Sequence, residues 1–460
     1  MNDIYNRFQK NSARKAFDLE HRSKINFNIS KYNAAVGRGK AIFSDLELAR
    51  KRASNIRHRV VNSLDKYLID FAANFEKNGG ELHWATDADE AVSFVLSVLE
   101  KHGISLVVKS KSMITEELEL NRHIESKDIE VVETDLGEYI VQLSGEKPYH
   151  IVTPAMHKSK EDIAALFSEK LNTPPDSTPE ELTAAVREVL RKKFFDAGAG
   201  ITGANFLIAD TGSVAITENE GNAMMSFSFP KVHIAIAGIE KIIPSLEDLD
   251  LFWPLLATHG TGQHVTVYNS IISGPRAENE VDGPEYFYLV LLENNRSEVL
   301  KKPLQRAAMK CIKCGACLNA CPIYRNIGGH TYETTYTGPI GSVITPLMRG
   351  MDWFGHLSFA SSLCGKCTEV CPVKIPLHEL LLYNRNDFVK NGHSRLSEKV
   401  SMNAMKYALK SDKRLERFSP VIKNTGMQLV FKNGWGKMRS LPRFAPKSFR
   451  ALWNERNKEQ

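Results

Sequence analysis

The sequence predicts an α/β domain with a parallel sheet, followed by a small cysteine-rich module, with helical segments at both ends of the chain. Strand-like and helix-like segments alternate from about residue 76, which is typical of parallel α/β sheets. All seven cysteines fall between Cys311 and Cys371. We therefore divide the chain into a helical N-terminal arm, the α/β domain, the cysteine module and a basic helical C-terminal region, at 1–75, 76–300, 301–390 and 391–460.

Local patterns place the individual elements. Periodic apolar positions and N-cap residues predict helices at 46–59, 60–75, 87–102, 115–124, 159–171 and 179–195. Thr115 is expected to cap the fourth of these helices. Short apolar runs bounded by turn residues predict strands or extended segments at 80–85, 104–108, 129–133, 149–152, 205–209, 213–217, 232–237, 264–268 and 286–292. The chain is expected to end in a loop-like stretch around Pro442, Pro446 and Trp453.

Composition argues against several classes of protein. The chain has 460 residues and is 42% hydrophobic, so it can bury more than one core. The first 15 residues lack the apolar segment of a secretory signal, and no run of about 18 apolar residues predicts a membrane span. Cysteines in ligand spacing speak against a disulfide scaffold and for a reducing compartment, so we expect a cytoplasmic protein.

Positive charge is concentrated near the C-terminus. The net charge is +6, and from Lys390 onward 17 Lys and Arg accompany five Asp and Glu. Nucleic acid or a membrane surface would attract such a segment, but no nucleic-acid-binding motif accompanies the charge. We favour a solvated helical tail or a face that docks an acidic partner subunit, without nucleic acid, and peripheral membrane contact stays open.

The cysteines form two runs. These are Cys311-x2-Cys314-x2-Cys317-x3-Cys321-Pro322 and Cys364-x2-Cys367-x3-Cys371-Pro372. The first run has the spacing of bacterial ferredoxins, in which three cysteines hold one cubane cluster and the fourth crosses to a second cluster. Zinc is the alternative, although zinc sites usually combine two C-x2-C pairs. We predict two [4Fe-4S] clusters, whose ligands would be Cys311, Cys314, Cys317 and Cys371 for the first and Cys321, Cys364 and Cys367 for the second.

The second predicted cluster lacks an eighth cysteine. The ferredoxin spacing places its fourth ligand at Ser361, three residues before Cys364. The serine oxygen, another oxygen ligand, water or substrate could fill this position, or the cluster could contain three irons. We favour a plain electron relay that tolerates three thiolates. His330 and His356 are further candidate ligands, although a histidine near a cluster more often donates a hydrogen bond to sulfur.

Residues 198–203 spell a literal G-x-G-x-x-G. A dinucleotide site needs a strand before this motif and a helix after it. Here the predicted order is reversed, so we reject NAD binding and interpret the glycines as a helix C-cap with a tight turn. No flavin or nicotinamide site is recognisable in the sequence.

Small and polar residues follow the predicted strands between 202 and 285, as in pockets that approach a ligand closely. Glu218 and Glu220 are candidate bases or nucleophiles. Arg276 is a candidate partner for a carboxylate or phosphate. Ordinary turn chemistry is the favoured alternative, because residues 219–222 read as a hairpin turn.

Several segments resemble a known domain. Residues 133–138, 150–158, 200–205, 219–222, 230–233, 238–241 and 274–276 are similar to the LUD domain. Together with the cysteine runs, they resemble the lactate-utilisation iron–sulfur (LutB) family over nearly the whole chain, most strongly from about 70 to 385. The spelling Ser361-Ser362-Leu363-Cys364 is usual in that family.

The resemblance implies a NagB/RpiA/CoA-transferase-like fold for 76–300 and a ferredoxin-type dicluster domain for 301–390. It also implies a three-protein complex, with a cysteine-rich subunit and a second LUD subunit, that oxidises L-lactate to pyruvate. It assigns no catalytic residue. We expect this chain to pass electrons from lactate to an acceptor that the sequence does not identify. Two alternatives are group transfer on a carboxylate or CoA ester with structural clusters, and a redox-sensing scaffold.

Overall fold

A computed structural model describes residues 3–435 and 440–458. The chain divides into two compact units, Met1–Phe388 and Val389–Gln460. The first unit contains the N-terminal helices, the α/β domain and both cysteine runs. Within the described residues, no helix is long and apolar enough to cross a membrane.

The strands form two sheets in the first unit. They are β1 (Glu81–Ala85), β2 (Leu106–Lys109), β3 (Glu130–Glu133), β4 (Ala199–Gly203), β5 (Phe206–Ile208), β6 (Ser213–Glu218), β7 (Val232–Gly238), β8 (Ile242–Ile243), β9 (Tyr268–Ile272) and β10 (Tyr286–Leu292). The larger sheet has the order β1-β10-β7-β4-β2-β3, and all its neighbouring strands are parallel. Its central strand β7 is buried along its whole length, as expected for a sheet covered on both faces.

The smaller sheet has the order β8-β5-β6-β9. Strand β6 pairs antiparallel with both β5 and β9, whereas β8 pairs parallel with β5. Because β5 follows β4 and β8 follows β7, this sheet continues from the carboxyl ends of the larger sheet.

Helices surround both sheets. Up to the end of the cysteine module they are α1 (Asp3–Ala16), α2 (Leu19–Lys40), α3 (Leu46–Asn62), α4 (Leu64–Lys77), α5 (Ala88–Lys101), α6 (Met113–Glu117), α7 (Leu120–Glu125), α8 (Leu136–Leu143), α9 (Lys160–Leu171), α10 (Pro179–Asp196), α11 (Asn222–Ser228), α12 (Leu249–Gly260), α13 (Arg296–Leu300), α14 (Ala316–Ala320), α15 (Pro322–Ile327), α16 (Gly338–Arg349), α17 (Met351–Phe354), α18 (Lys366–Glu369) and α19 (Leu377–Lys390). Shorter 3-10 turns occupy Ile239–Lys241, Leu246–Asp248, Gln305–Lys310, His330–Tyr332 and Gly355–Phe359.

Side-chain caps set where several helices begin. Asp135 accepts a hydrogen bond from the backbone N–H of Glu138 at 3.1 Å and so starts α8. Thr178 and Glu181 form a capping box around Pro179 at the start of α10. Each cap satisfies backbone donors that have no partner inside the helix.

The N-terminal arm shares a hydrophobic core with the cysteine module. Phe8 of α1 and Ile25 and Ile29 of α2 belong to the same cluster of buried side chains as Cys314 and Leu318. The arm is therefore an integral part of the first unit.

Residues 149–152 were predicted as a strand, and this prediction was wrong. His150 Nδ1 accepts hydrogen bonds from the backbone N–H groups of Val152 and Thr153 at 3.1 and 3.3 Å, which bends the segment. The hydroxyl of Tyr324 donates to the carbonyl oxygen of Tyr149 at 2.8 Å. The segment therefore packs against the cysteine module and does not join the sheet.

The glycine motif at 198–203 was also misinterpreted from sequence, because it forms strand β4 and not a turn. A Cβ atom on Gly200 would lie 1.6 Å from the carbonyl oxygen of Ser226 in α11. Glycine is required here because α11 crosses the strand at backbone distance.

Other local predictions differ from the structure as well. The helix predicted at 115–124 is broken between α6 and α7, where Glu119 has a φ of 49°. Thr115 lies inside α6 and donates to the carbonyl oxygen of Ser112 at 2.8 Å, so it is not the N-cap. The strand predicted at 264–268 lies at Tyr268–Ile272 instead, since that segment pairs with β6. Residues 219–222 lead from β6 into α11 and form no hairpin.

The second unit is helical. Its helices are α20 (Leu396–Ala408), α21 (Asp412–Glu416), α22 (Pro420–Trp435) and α23 (Phe449–Arg456). Arg450 forms an ion pair with Asp412 at 2.7 Å. Trp453 lies in α23 and not in a loop, which corrects the sequence prediction.

Candidate iron–sulfur centre and adjoining cavity

Both cysteine runs follow the same local course. Lys313 and Gly315 flank the second cysteine of the first run with φ angles of 59° and 77°. Leu363 and Gly365 flank the first cysteine of the second run with φ angles of 54° and 78°. A Cβ on Gly315 would come within 3.0 Å of the Val152 side chain, so this turn needs glycine for space as well as for its left-handed conformation.

The seven thiols fall into two electrostatic groups. Charge interactions connect Cys311, Cys314, Cys317 and Cys371, and separately connect Cys321, Cys364 and Cys367. Burial raises the pKa of Cys367 and of Cys371 to about 11. Thiols in such surroundings stay protonated unless a metal ion replaces the proton, so the donor set suits a metal cluster. The grouping agrees with the crossed ferredoxin pattern, and the assignment of each cysteine to a cluster stays a prediction.

Ser361 occupies in the second run the place that Cys311 occupies in the first. The backbone N–H of Lys313 donates to Cys311 Sγ at 3.3 Å, and the backbone N–H of Leu363 donates to Ser361 Oγ at 3.1 Å. Both donors have left-handed backbone conformations. The serine oxygen therefore takes the local position of the missing thiolate.

The two histidines considered as cluster ligands make other contacts. His330 Nε2 lies 2.7 Å from the carbonyl oxygen of Lys147, and its ring packs against His157 with centroids 4.9 Å apart. The ring of His356 packs against Phe8 with centroids 5.0 Å apart. These contacts give no support to a ligand role for either histidine.

Helix α3 contacts the cysteine module just before the first cysteine run and at the end of the second run. Arg50 donates to the carbonyl oxygens of Cys371 and Glu369 at 2.9 and 2.7 Å. On the same helix, the hydroxyl of Ser54 accepts a hydrogen bond from Lys310 Nζ at 3.1 Å, just before the first run.

Arg57 of α3 joins the cysteine module to the α/β domain. This side chain is only 1% exposed and donates to the carbonyl oxygens of Lys310 and Met309 at 3.2 and 2.9 Å. It also donates to the carbonyl oxygens of Ile242, at 2.5 Å, and Glu240. Its pKa is lowered to about 10 by burial, so the guanidinium keeps its charge at neutral pH.

A cavity of about 400 Å³ lies at the carboxyl ends of the parallel strands. Open α/β sheets place their ligand sites at this edge. The segments that follow β2, β3, β4 and β7 form one side of the cavity, and the first cysteine run forms another. Its wall includes Lys111, Asp135, Glu218, Lys241, Lys313 and Cys314.

The two glutamates singled out from sequence do line this cavity. Glu218 accepts hydrogen bonds from the backbone N–H groups of Ala223 and Met224 at 2.8 Å each, and Glu220 accepts one from Leu136 at 3.0 Å. Burial raises the pKa of both glutamates. Both carboxylates therefore hold helix starts, and their raised pKa also suits proton transfer.

Other charged groups at the cavity are paired. Lys111 contacts Asp135 at 2.9 Å. Glu240 accepts a hydrogen bond at 2.6 Å from Arg296, which also contacts Glu117 at 2.9 Å. Although burial opposes ionisation, Arg296 lowers the pKa of Glu240 to about 2.

Lys241 and Lys313 differ from these groups. Within residues 3–435 and 440–458, neither ammonium group makes an ion pair or a side-chain hydrogen bond. Lys313 Nζ lies 4.0 Å from the ring centroid of Tyr336. The cavity therefore contains two ammonium groups that make no direct ion pair, although Glu240 interacts with both electrostatically.

Comparison with known proteins identifies both parts of the first unit. The LUD domain family matches residues 68–292, and the 4Fe-4S dicluster domain family matches residues 307–375. Lactate utilization protein B of Bacillus subtilis is 47% identical over 357 residues, which are 77% of this chain and 74% of that protein. The protein of the same name from Bacillus licheniformis is 42% identical over 427 residues, which are 89% of this chain and 88% of that protein.

The chain belongs to the lactate utilization protein B family. The predicted LUD domain with its parallel sheet, the dicluster domain and the helical terminal regions are confirmed. A DUF162 family protein of known structure from Deinococcus radiodurans is 13% identical, with a TM-score of 0.28 over 50% of this chain and 98% of that protein. The fold assignment does not depend on this last similarity.

In this member of the lactate utilization protein B family, Arg276 lies outside the cavity, so its predicted place in the pocket was wrong. Arg276 pairs with Glu285 at 2.7 Å. Residues 276–285 precede β10, and the amino end of that strand lies at the opposite edge of the sheet from the cavity.

Sequence reasoning missed the two lysines that lie at the cavity, and it missed the role of Arg57 in joining the cysteine module to the α/β domain. Lys241 ends one of the LUD-like segments, and Lys313 lies within the first C-x2-C, so both were visible in the sequence. No local signal shows that they face one cavity. The role of Arg57 was equally hidden, because its partners are backbone carbonyls 183 to 253 residues away.

Proposed function

We propose that this chain is the iron–sulfur electron-transfer subunit of a complex that oxidises L-lactate to pyruvate. The observation that carries the proposal is the shared cavity, because Cys314 of the first run lines the same space as the strand ends of the LUD domain. A substrate held in the cavity would therefore lie beside an electron carrier. The names of the relatives agree with a role in lactate use.

Two [4Fe-4S] clusters would supply one-electron redox chemistry when bound. The donor set supports this number, since seven thiolates exceed the four that one cubane needs. Cys311, Cys314, Cys317 and Cys371 would hold the first cluster, and Cys321, Cys364 and Cys367 would hold the second. The backbone N–H groups of Lys313 and Ile375, 3.3 and 3.4 Å from Cys311 Sγ and Cys371 Sγ, would stabilise anionic sulfur.

Oxidation of lactate to pyruvate releases two electrons and two protons. The two clusters, if bound, would supply two one-electron centres, which matches the number of electrons released. Glu218 and Glu220 line the cavity and are suited to accept protons. We further propose that a cysteine-rich subunit and a second LUD subunit complete the complex, and that it works in the cytoplasm, where thiolate clusters persist.

The test is anaerobic purification of the complex, followed by lactate-dependent reduction of an artificial acceptor. We expect turnover with L-lactate, loss of growth on L-lactate in a strain that lacks this chain, and about eight irons per chain, or about seven if the second cluster has three irons. Stoichiometric zinc with little iron or sulfide would refute the proposal.

A second candidate function is group transfer on a carboxylate or CoA ester, with structural clusters. The raised pKa of Glu218 and Glu220 in the cavity supports this alternative, because it suits a nucleophile or base. Binding of a CoA ester by the purified chain, together with normal growth of the deletion strain on L-lactate, would favour group transfer over electron transfer.

A further inference from the structure

The polar groups around the cavity differ in whether the chain supplies them with a direct partner. Each of its carboxylates has one: Asp135 pairs with Lys111, Glu240 pairs with Arg296, and Glu218 and Glu220 accept hydrogen bonds from backbone N–H groups. The ammonium groups of Lys241 and Lys313 make no direct ion pair or hydrogen bond within the residues that the structure describes, although Glu240 interacts with both electrostatically. The cavity therefore contains two ammonium groups whose hydrogen-bond donors the chain leaves unused.

Two unpaired cations in one partly enclosed site repel each other. Lys241 and Lys313 lie close enough to interact electrostatically, and both line the cavity. Partly buried charges are costly unless a counter-ion and hydrogen bonds offset their desolvation. An anion that enters the cavity would remove this cost, so the arrangement is poised to bind one.

We propose that Lys241 and Lys313 bind the carboxylate of a small 2-hydroxy or 2-oxo acid inside this cavity, beside the first cysteine run. The class of acid rests on the proposed function. The two lysines belong to different parts of the fold, Lys241 to the 3-10 turn after β7 and Lys313 to the loop that carries Cys311 and Cys314. The site is therefore complete only when the LUD domain and the cysteine module are both folded.

The cavity offers polar groups for the rest of such a ligand. Asn205, Thr217 and Glu218 line it together with the lysines. At about 400 Å³ it holds a three-carbon acid with accompanying water and lies within the size range of small-molecule pockets.

The competing explanation is that the lysines only offset the negative charge of the first cluster. Both residues lie near Cys311: Lys313 is two residues away, and Lys241 interacts electrostatically with its thiol. The two explanations differ in what a lysine variant changes. A ligand site loses affinity for a small acid, whereas a charge-compensating group changes the reduction potential alone.

The experiment uses the full-length chain, purified anaerobically with its clusters, and titrates it with pyruvate and L-lactate by calorimetry. The variants are Lys241→Gln, Lys313→Gln and the charge-preserving Lys241→Arg. Lys231→Gln is the matched control, because Lys231 precedes the opposite end of β7 and is 77% exposed. Iron content and the paramagnetic resonance spectrum of each reduced variant check that the clusters are intact.

We expect the wild type and Lys231→Gln to bind pyruvate alike. Each lysine-to-glutamine change at the cavity should weaken binding at least about tenfold, since a hydrogen bond to a charged group is lost, and Lys241→Arg should recover part of the affinity. Unchanged affinity in both glutamine variants, with a lowered potential of the first cluster, would overturn the proposal in favour of charge compensation. Absence of pyruvate and lactate binding by the wild type, or tighter binding of inorganic phosphate than of pyruvate, would overturn it as well.

Failure of this inference is separable from failure of the proposed function. A complex that oxidises L-lactate with an unchanged KM in both glutamine variants keeps the proposed function and refutes this site. A complex without lactate turnover, whose isolated chain still binds pyruvate through Lys241 and Lys313, keeps the site and refutes the electron-transfer role.

Discussion

The second cysteine run differs from the first at Ser361, which has an oxygen atom where Cys311 has sulfur. Its Oγ accepts the same backbone hydrogen bond that Cys311 Sγ accepts, so exchanging sulfur for oxygen leaves the turn intact. An alkoxide is a less favourable ligand than a thiolate, and if a cluster is bound, the exposed Ser362 or solvent would be an alternative ligand for its fourth iron. The serine thus retains the geometry of a ligand position without providing a strong ligand.

We expect Ser361→Ala to keep both clusters and most of the electron transfer, with a modest shift in potential. Ser361→Cys should be tolerated and should lower the potential of the second cluster, because it completes four thiolates. Iron analysis and a redox titration followed by paramagnetic resonance measure both effects. Selective loss of the second cluster in Ser361→Ala would mean that the serine is a true ligand.

Two cysteine variants test the grouping of the thiols. Cys317→Ser and Cys364→Ser should abolish different paramagnetic signals in the reduced protein, because these residues belong to separate electrostatic groups. Loss of the same signal in both variants would contradict the crossed pattern. Iron content must be measured beside the spectra, since loss of one metal site can unfold its neighbour.

Among the secondary-structure elements, helix α3 connects the cysteine module to the α/β domain. Its Arg57 contacts the 3-10 turn before the first cysteine run and the chain around β8, while its Arg50 contacts the end of the second run. A guanidinium suits this task because its planar fork of five donors reaches several carbonyls at once.

Arg57→Lys should destabilise the protein by roughly 2 kcal/mol or more, because lysine leaves buried carbonyl oxygens without a donor. We also expect poorer loading of the first cluster, whose loop begins at the affected carbonyls. Thermal unfolding and iron analysis test both effects. Arg59→Lys, an exposed position on the same helix, is the control and should behave like the wild type.

Strand β4 provides a second test at this scale. Gly200→Ala should cost about 1–3 kcal/mol of stability, because the new methyl group overlaps the carbonyl oxygen of Ser226 and α11 must shift. Gly37→Ala in α2, where a Cβ meets nothing within 4 Å, should instead be neutral or slightly stabilising. Equal melting temperatures for the two variants would contradict the close approach of α11.

Over the whole molecule, buried neutral histidines make stability depend on pH. Burial lowers the pKa of His233 to about 3, and its ring lies 2.8 Å from the Thr202 hydroxyl. The unfolded chain takes up a proton near pH 6.5, whereas the folded chain does not. His233 therefore contributes its full stability above pH 6.5, and this contribution falls as the pH decreases toward 3.

We expect the melting temperature to fall between pH 7 and pH 5, and to fall less steeply in His233→Gln. His123→Gln is the control and should keep the wild-type slope, because His123 is exposed at the surface. A variant slope equal to that of the wild type would mean that His233 titrates alike in both states.

Sequence reasoning succeeded where the residues that determine a structure are close together in the sequence, and it failed where they are far apart. Helices α5, α9 and α10 were predicted because their caps and apolar periodicity lie within each segment, whereas the assignment of cysteines to clusters is still a prediction from their spacing. Strand β4 was missed because the reason for its glycines, the close approach of α11, lies outside the segment. The bend at Tyr149 was missed because its partner, Tyr324, comes 175 residues later.

The cation pair at the cavity shows the same limit at the scale of the site. Lys241 and Lys313 are separated by the last quarter of the α/β domain and by the domain boundary. Only the packing of the cysteine module against the sheet edge brings them together, and no periodicity or motif encodes that packing.

The hydrogen bond from Arg50 to the carbonyl oxygen of Cys371 has a consequence for the synthesis of the protein. The two residues are 321 positions apart, which corresponds to roughly 20–60 s of ribosomal synthesis. During that time the apolar sides of the first three helices have left the ribosome without their final partners. We therefore expect the nascent chain to expose apolar surface until Cys371 emerges, and by the predicted crossed pattern the first cluster would be complete only then.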